Sequence, residues 1–164
     1  MRRGFVTVQY HIREMQRADL EEVTMLEASC FSRPWKYRDF EETLSNPDRF
    51  YLVAETDKSM SNLPVMILGG CMLTHIAGEG DITNVAVCEK YRNQHIATAL
   101  LTNLIQLGEQ KYGIRAYTLE VRSANTAARR LYEKLGFVSL GIRPNFYDYP
   151  KDDAVIMCYE RTGD

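Results

Sequence analysis

The stretch DITNVAVCEKYRNQHIATALL, residues 81–101, decides the fold. Its first half is apolar and strand-like, and its second half begins a helical pattern. Between the halves lie Arg92, Asn93, Gln94 and His95, at the point where the helix begins. The first N–H groups of a helix lack partners within the helix and the dipole adds positive charge there, so a phosphate can bind at this joint. On spacing alone, an ordinary solvated turn is the better interpretation.

Apolar periodicity extends this strand–helix unit in both directions. It predicts the order strand, helix, helix, three strands, helix, strand, helix and two strands. The predicted strands are residues 6–12, 50–55, 65–75, 81–87, 116–121, 138–142 and 154–160. The predicted helices are residues 20–30, 37–44, 97–112 and 126–135. The central strand–helix–strand unit is expected to pair parallel with a right-handed crossover, which predicts a mixed α/β sheet covered by helices.

Two helix starts carry capping signals. Asp19 followed by Glu22 is similar to a capping box, and Asn125 is placed to cap the last helix.

Composition excludes several classes of protein. The 164 residues fit a single domain, residues 1–164, with 45% hydrophobic and 26% charged residues. The net charge of −2 gives no field that favours nucleic acid. No apolar run is long enough to cross a membrane, and the N-terminal residues do not form a signal-peptide apolar core. We therefore expect a cytoplasmic protein with neither nucleic acid nor membrane as partner.

The cysteines and histidines are too scattered to predict a metal site. No two of the four cysteines lie close enough in sequence for a CxxC pair, and the three histidines are equally dispersed. We interpret the cysteines as reduced packing residues and expect no metal.

The joint at residues 92–97 resembles the pyrophosphate-binding loop of the GNAT family of acetyl-CoA-dependent N-acetyltransferases, Gln/Arg-x-x-Gly-x-Gly/Ala. Arg92 matches its first position and Ala97 its last, whereas His95 stands where the first glycine is usual. The predicted order of elements is also that of the family. The resemblance implies the GNAT fold, a central, mainly antiparallel seven-stranded sheet with about four helices on both faces. An ordinary negative φ at His95 would keep the backbone donors of the loop available.

Two further motifs are similar to the RimI-like branch, which acetylates the N-terminal alanine of a small-subunit ribosomal protein. They are TLEVRSAN at residues 118–125 and RLYEKLGF at residues 130–137. The resemblance implies Glu120 as the general base and Tyr132 as the general acid. Without it, Glu120 is a structural carboxylate paired with Arg122 or a loop donor, and Tyr132 is a core aromatic.

The resemblance also implies an acetyl-CoA site. In this site the cofactor would be bound by the loop, by the helix start and by a splayed or bulged strand whose backbone donors face the thioester. The residues implied are Val85, Ala86, Val87, Arg92, Asn93, Gln94, His95, Ile96, Ala97, Thr98 and Asn125. For Val85, Ala86 and Val87 the alternative is a plain buried strand.

The acceptor side is implied by two aromatic segments. Trp35, the single tryptophan, lies in FSRPW at residues 31–35, and Tyr147 lies in NFYDY at residues 145–149. Both segments resemble parts of the same branch, which implies substrate binding by Trp35 and Tyr147. Lid packing of Trp35 and a surface-loop position of Tyr147 are the alternatives.

The resulting hypothesis is an enzyme that transfers acetyl from acetyl-CoA to a protein N-terminal α-amine by direct attack, with a ribosomal protein as partner. A peptide α-amine has a pKa of about 8 and a lysine amine about 10.4, so the α-amine is more often deprotonated near neutral pH. Acetylation of a small amine or lysine, and a non-catalytic acyl-CoA-binding module, remain alternatives.

Overall fold

A computed structural model describes residues 7–58 and 64–163. Within these ranges the chain forms seven strands and four α-helices. The strands are β1 (Tyr10–Glu14), β2 (Arg49–Thr56), β3 (Ile67–Ile76), β4 (Glu79–Val87), β5 (Ala116–Arg122), β6 (Val138–Asp148) and β7 (Lys151–Glu160). The helices are α1 (Leu20–Cys30), α2 (Tyr37–Ser45), α3 (Ile96–Tyr112) and α4 (Thr126–Lys134), with short 3₁₀ turns at Arg17–Asp19 and Glu89–Tyr91.

The strands form one sheet in the order β1-β2-β3-β4-β5-β7-β6. Among the strands of the described residues, only β4 and β5 pair parallel, around the α3 crossover, and the other neighbours pair antiparallel. The predicted mixed, mainly antiparallel sheet of α/β class is therefore confirmed. Each helix in the described ranges is too short or too polar to span a lipid bilayer.

Helices cover the sheet on both faces and create two cores. On one face, α3 buries Leu100, Leu101 and Leu104 completely, in a cluster that also includes Tyr132 of α4. Burying a leucine side chain contributes about 1.5–3 kcal/mol. On the other face, α1 and α2 pack a second cluster against Tyr51 and Met72 of the sheet. The first cluster lies under α3, and the second lies under α1 and α2, the two helices on either side of the Trp35 segment.

Two local predictions near the N-terminus are wrong. Strand β1 begins at Tyr10, because the N–H of Val8 donates to Oε1 of Gln94 at 3.1 Å rather than joining a ladder. Val6 of the predicted strand lies outside the described residues. The capping box at Asp19 is also absent, since the Asp19 carboxylate accepts from the Arg13 guanidinium at 2.7 and 2.8 Å.

The last two strands are longer than predicted. They meet in a hairpin between Asp148 and Lys151, instead of ending at residue 142 and starting at residue 154. Strand β6 forms the edge of the sheet and exposes Val138, Leu140 and Ile142. Because almost all of its side chains are exposed, no alternation of buried and exposed residues marks its end.

Candidate active site

The site begins where β4 and β5 separate. Their parallel pairing runs from Glu79 opposite Ala116 to Ile82 opposite Leu119 and stops there, although β4 continues to Val87 and β5 to Arg122. Beyond the last pair the sheet opens, and backbone groups of β4 lose their β5 partners. The predicted splay is therefore present.

A bulge in β4 lies at this opening. On the β3 side, Thr83 pairs with Met72 and Ala86 with Gly70, so Asn84 and Val85 together oppose one residue. Asn84 has φ 55, the left-handed conformation that asparagine tolerates better than most residues. The bulge thus lies at Asn84–Val85, at the start of the predicted set Val85, Ala86 and Val87.

A cavity of about 660 Å³ lies at this opening. It is lined from β4, β5, α4, the segment after α1 and the β6–β7 hairpin; its lining includes six of the predicted site residues, namely Trp35, Val85, Glu120, Asn125, Tyr132 and Tyr147. Ala86, Val87 and residues 92–98 are not part of this lining. The fold therefore joins both candidate catalytic residues and the two aromatic residues predicted to bind the acceptor in one cavity.

Glu120 lies on β5, on the face of the sheet that α1 and α2 cover. Its side chain is 31% exposed and its Oε1 lies 3.4 Å from a guanidinium nitrogen of Arg143 on β6. The ion pair therefore forms with Arg143, not with Arg122 or a loop donor. Burial and the Glu120 charge raise the pKa of Asp81 on β4, while Arg143 lowers it.

Tyr132 approaches the cavity from the opposite face. It is 7% exposed and packs with Leu119 and Val121 in the α3-side core, with its ring centroid 5.9 Å from that of Phe137. Alternation along β5 places Val121 and Glu120 on opposite faces. The two candidates nevertheless line one cavity, because it passes through the gap between β4 and β5. Burial raises the pKa of the Tyr132 phenol, so this group stays protonated near neutral pH and can donate a proton.

Asn125 caps α4, as predicted. Its Oδ1 accepts the N–H of Ala128 at 3.1 Å, which satisfies one of the free donors at the helix start. The residue is exposed and borders the cavity, and the cap does not use its amide nitrogen.

Arg122 connects the cavity to the β6–β7 hairpin. Its guanidinium donates to the carbonyls of Pro150 at 2.7 Å and Tyr149 at 3.1 Å. Its central carbon also lies 4.2 Å from the ring centroid of Tyr147. These contacts hold Tyr147 at the cavity rather than on a free surface loop. The guanidinium fork is suited to such paired carbonyl contacts.

The segment after α1 closes another side of the cavity. The Trp35 ring packs against Phe40 of α2 at 5.6 Å and has the Arg49 guanidinium 5.8 Å from its centroid. Arg33 lies 3.3 Å from Asp148 of the hairpin, in an exposed ion pair that contributes little stability. Trp35 therefore packs against α2 and also lines the cavity.

The predicted loop holds a strained conformation at the start of α3. His95 has φ 60 and ψ 20, so the residue does not adopt the negative φ that would keep the backbone donors of the loop available. Glycine adopts this left-handed conformation without a steric penalty, which explains the family preference. Asn93 is also left-handed, with φ 64.

The other loop side chains make contacts within the protein. The Arg92 Nε donates to the Val87 carbonyl at 3.3 Å, and Gln94 accepts from Val8. Ile96 is buried in the core, whereas Ala97 and Thr98 in the first turn are partly exposed. The unpaired backbone N–H groups of this first turn are still suited to binding a diphosphate, because a helix start attracts anions.

Sequence reasoning missed two residues at the cavity, Glu27 and Asn84. Glu27 is 2% exposed, and its Oε1 accepts from the Asn84 amide nitrogen at 2.6 Å. The spacing of Glu27 from Leu20 and Val23 was a signal of burial, because these positions share one helix face, although a glutamate is rarely buried. The asparagine within the apolar run of residues 82–88 was a signal, because asparagine is depleted in strands and favours left-handed positions.

No cluster of three or more metal-ligating side chains occurs within residues 7–58 and 64–163. All four cysteines are free thiols, and Cys71 and Cys158 are buried as packing residues.

The sequence and fold match known acetyltransferases. The profile of the Acetyltransferase (GNAT) family matches residues 17–137. The chain is 35% identical over 147 residues to a putative ribosomal protein bS18-alanine N-acetyltransferase of Bacillus subtilis, covering 89% of this chain and 92% of that protein. It is 31% identical over 149 residues to the ribosomal protein bS18-alanine N-acetyltransferase of Escherichia coli, covering 89% and 94%. A crystal structure of the Escherichia coli ribosomal-protein-S18-alanine N-acetyltransferase superposes with a TM-score of 0.81 at 27% identity, over 95% and 96% of the two chains.

Proposed function

Because the chain belongs to the GNAT family and is an acetyl-CoA-dependent N-acetyltransferase, we propose that its acceptor is a protein N-terminal α-amine. The specific acceptor we propose is the N-terminal alanine of small-subunit ribosomal protein bS18, the substrate in the names of the relatives from Bacillus subtilis and Escherichia coli. The observation that carries the proposal is the cavity through the sheet, which joins Glu120 and the aromatic acceptor side to Tyr132.

The position of Glu120 suits a general base. An amine that enters between Trp35 and Tyr147 meets the face of the sheet that bears the Glu120 carboxylate. We propose that this carboxylate, oriented by Arg143, takes the amine proton directly or through one water. An α-amine needs less help than a lysine amine, because its pKa of about 8 is lower than about 10.4.

The position of Tyr132 suits the general acid. The amine nitrogen forms a bond to the thioester carbonyl carbon, and the tetrahedral intermediate collapses as the carbon–sulfur bond breaks. We propose that the protonated Tyr132 phenol delivers its proton to the departing sulfur, on the opposite face from Glu120. We propose that backbone N–H groups of β4 at the bulge stabilise the developing oxyanion.

We assign the rest of the acetyl-CoA site to two segments. The diphosphate would bind the N–H groups of residues 92–98, and the pantetheine arm would run along Val85, Ala86 and Val87 toward the gap. Asn125 would contact the cofactor at the start of α4. Small residues and unpaired N–H donors at a helix start are suited to binding anions. We also propose that residues 1–164 form a single domain and that the protein is cytoplasmic.

A peptide panel tests the acceptor. Acetylation by the wild-type protein is measured by mass spectrometry on a bS18 N-terminal peptide, on the same peptide with its α-amine blocked and a lysine retained, and on a polyamine. We expect acetyl only on the free alanine terminus. Modification of the blocked peptide or the polyamine instead would overturn the proposed acceptor.

The catalytic roles are tested on the same peptide. Glu120→Gln is expected to lower kcat by about a hundredfold to ten-thousandfold, the usual contribution of a positioned base. Glu133→Gln, an exposed carboxylate on α4, is the control and should leave kcat unchanged. Equal rates in the two variants would exclude Glu120 as the base.

A further inference from the structure

Glu27 is a buried carboxyl group at the cavity to which the acetyl-transfer steps give no role. It lies near the end of α1, is 2% exposed and borders the cavity. A carboxyl group at such a position costs free energy unless hydrogen bonds or neutralisation compensate for its lost hydration. Its contacts therefore indicate what it does.

One oxygen of Glu27 joins two parts of the site. Oε1 accepts from the Asn84 side-chain nitrogen at 2.6 Å and from the backbone N–H of Trp35 at 3.4 Å. Asn84 forms the bulge of β4, where the thioester side of the cavity begins. Trp35 belongs to the segment that closes the acceptor side. A single carboxyl group thus ties the cofactor strand to the acceptor segment.

The other oxygen excludes direct contact with an acceptor in this conformation. Oε2 is sealed from solvent and has no hydrogen-bond partner in the parts of the chain that the structure covers. An amine cannot reach a sealed atom unless the cavity rearranges. Glu27 consequently acts through Asn84 and Trp35 rather than on the reacting atoms.

We propose that Glu27 is a positioning residue for acetyl transfer, whose buried carboxyl group holds the Asn84 bulge and the Trp35 segment in register across the cavity. This inference rests on the acetyl transfer proposed above but not on the identity of the acceptor. The left-handed Asn84 has a side-chain anchor, and the Trp35 segment has a fixed point on α1. The acceptor amine and the thioester are then presented in one geometry.

Conservative and disruptive variants separate this role from simple packing. Burial raises the pKa of the Glu27 carboxyl to about 7, so a glutamine is the isostere of its neutral form and keeps an oxygen for both donors. Glu27→Ala removes that oxygen. Asn84→Gly removes the side chain that donates to Glu27, at a position whose left-handed conformation glycine can also adopt. Glu21→Ala, exposed on the same helix, is the matched control.

The first readout is kinetic and uses whichever acceptor the wild-type protein acetylates fastest. Glu27→Ala and Asn84→Gly should each lower kcat/KM for the acceptor by about tenfold to a hundredfold, as misplacement of reactants does. The KM for acetyl-CoA should change less. Glu27→Gln and Glu21→Ala should stay close to the wild-type values. The fold-decrease in kcat/KM of the double variant Glu27→Ala/Asn84→Gly should be smaller than the product of the fold-decreases of the two single variants.

The second readout does not need an acceptor. Trp35 is the single tryptophan, so its fluorescence and its quenching by iodide report the position of the acceptor segment. Quenching should increase in Glu27→Ala and stay unchanged in Glu27→Gln and Glu21→Ala. Should Glu27→Ala fail to fold, as judged by circular dichroism, Asn84→Gly and Glu27→Gln still carry the kinetic test.

The outcomes distinguish this inference from the proposed function. A wild-type protein that ignores the bS18 peptide but acetylates another amine removes the proposed acceptor and leaves the Glu27 test in place. Wild-type kcat/KM in folded Glu27→Ala and Asn84→Gly, with unchanged Trp35 quenching, would overturn the positioning role. A loss in folded Glu27→Gln as large as that in Glu27→Ala would also overturn it, because the negative charge itself would then be required.

Discussion

Replacing Glu27 with glutamine is expected to make the stability of the protein less dependent on pH. Burial raises the pKa of the Glu27 carboxyl to about 7, from an ordinary value of 4.5. Between these values the folded state keeps a proton that the unfolded state has released, so the free energy of unfolding falls as pH rises. The stabilising contribution of this group is complete below pH 4.5 and is lost as pH rises through about 7.

The size of the effect follows from the two pKa values. They differ by about 2.5, and each pKa unit corresponds to about 1.36 kcal/mol, so the total is about 3 kcal/mol. The nearby Tyr51 phenol of β2 and Cys71 thiol of β3 do not add to it, since burial raises the pKa of each and both stay neutral over this range. Glutamine cannot titrate, so the difference between variant and wild type isolates the carboxyl group.

Urea unfolding of both proteins at several pH values between about 4.5 and 8 measures this difference. The free energy of unfolding of Glu27→Gln minus that of wild type should rise by about 3 kcal/mol across the range. Glu21→Gln, on an exposed position of the same helix, should show no such rise. A difference that stays constant with pH would refute the reasoning, because it would mean that Glu27 titrates alike in the folded and unfolded chains.

Three other substitutions, the last with a control variant, test separate features of the structure. His95→Gly removes a left-handed non-glycine residue and should raise the free energy of unfolding by about 1 kcal/mol, measured by urea unfolding; a decrease would contradict the strain at this position. Arg122→Lys loses the fork that holds the hairpin carbonyls and should raise the acceptor KM by about tenfold while leaving the acetyl-CoA KM unchanged; equal changes in both would argue against this role. Gly70→Ala places a Cβ against the buried Tyr51 ring and should cost about 1–3 kcal/mol in thermal unfolding, whereas Gly141→Ala meets no neighbour and should be neutral.

Most of the fold could be predicted from local pattern. Residues 81–101 define the one parallel crossover, and α3 and its flanking strands follow from apolar spacing alone. Buried strands and amphipathic helices carry that signal because each presents a regular face to a core. Strand β6 does not, since it lies exposed at the sheet edge, and its hairpin with β7 depends on pairing rather than on burial.

The candidate site was predictable only in part. Glu120, Asn125 and Tyr132 stand in motifs with fixed spacing, and the structure brings all three to one cavity. Glu27 lies on the apolar face of α1, but its contact with Asn84, 57 positions later in the chain, could not be predicted from local pattern. The positive φ of His95 was indicated only by the glycine that the family usually has at this position.

We propose that acetyl passes between the two faces of the sheet through the gap between β4 and β5. The most direct test is an experimental structure with a conjugate of coenzyme A and an alanine-terminated peptide. We predict that its linking carbonyl lies in the gap, with the peptide nitrogen on the Glu120 face and the sulfur on the Tyr132 face. A conjugate bound entirely on one face, with the gap between β4 and β5 filled by side chains, would contradict the account.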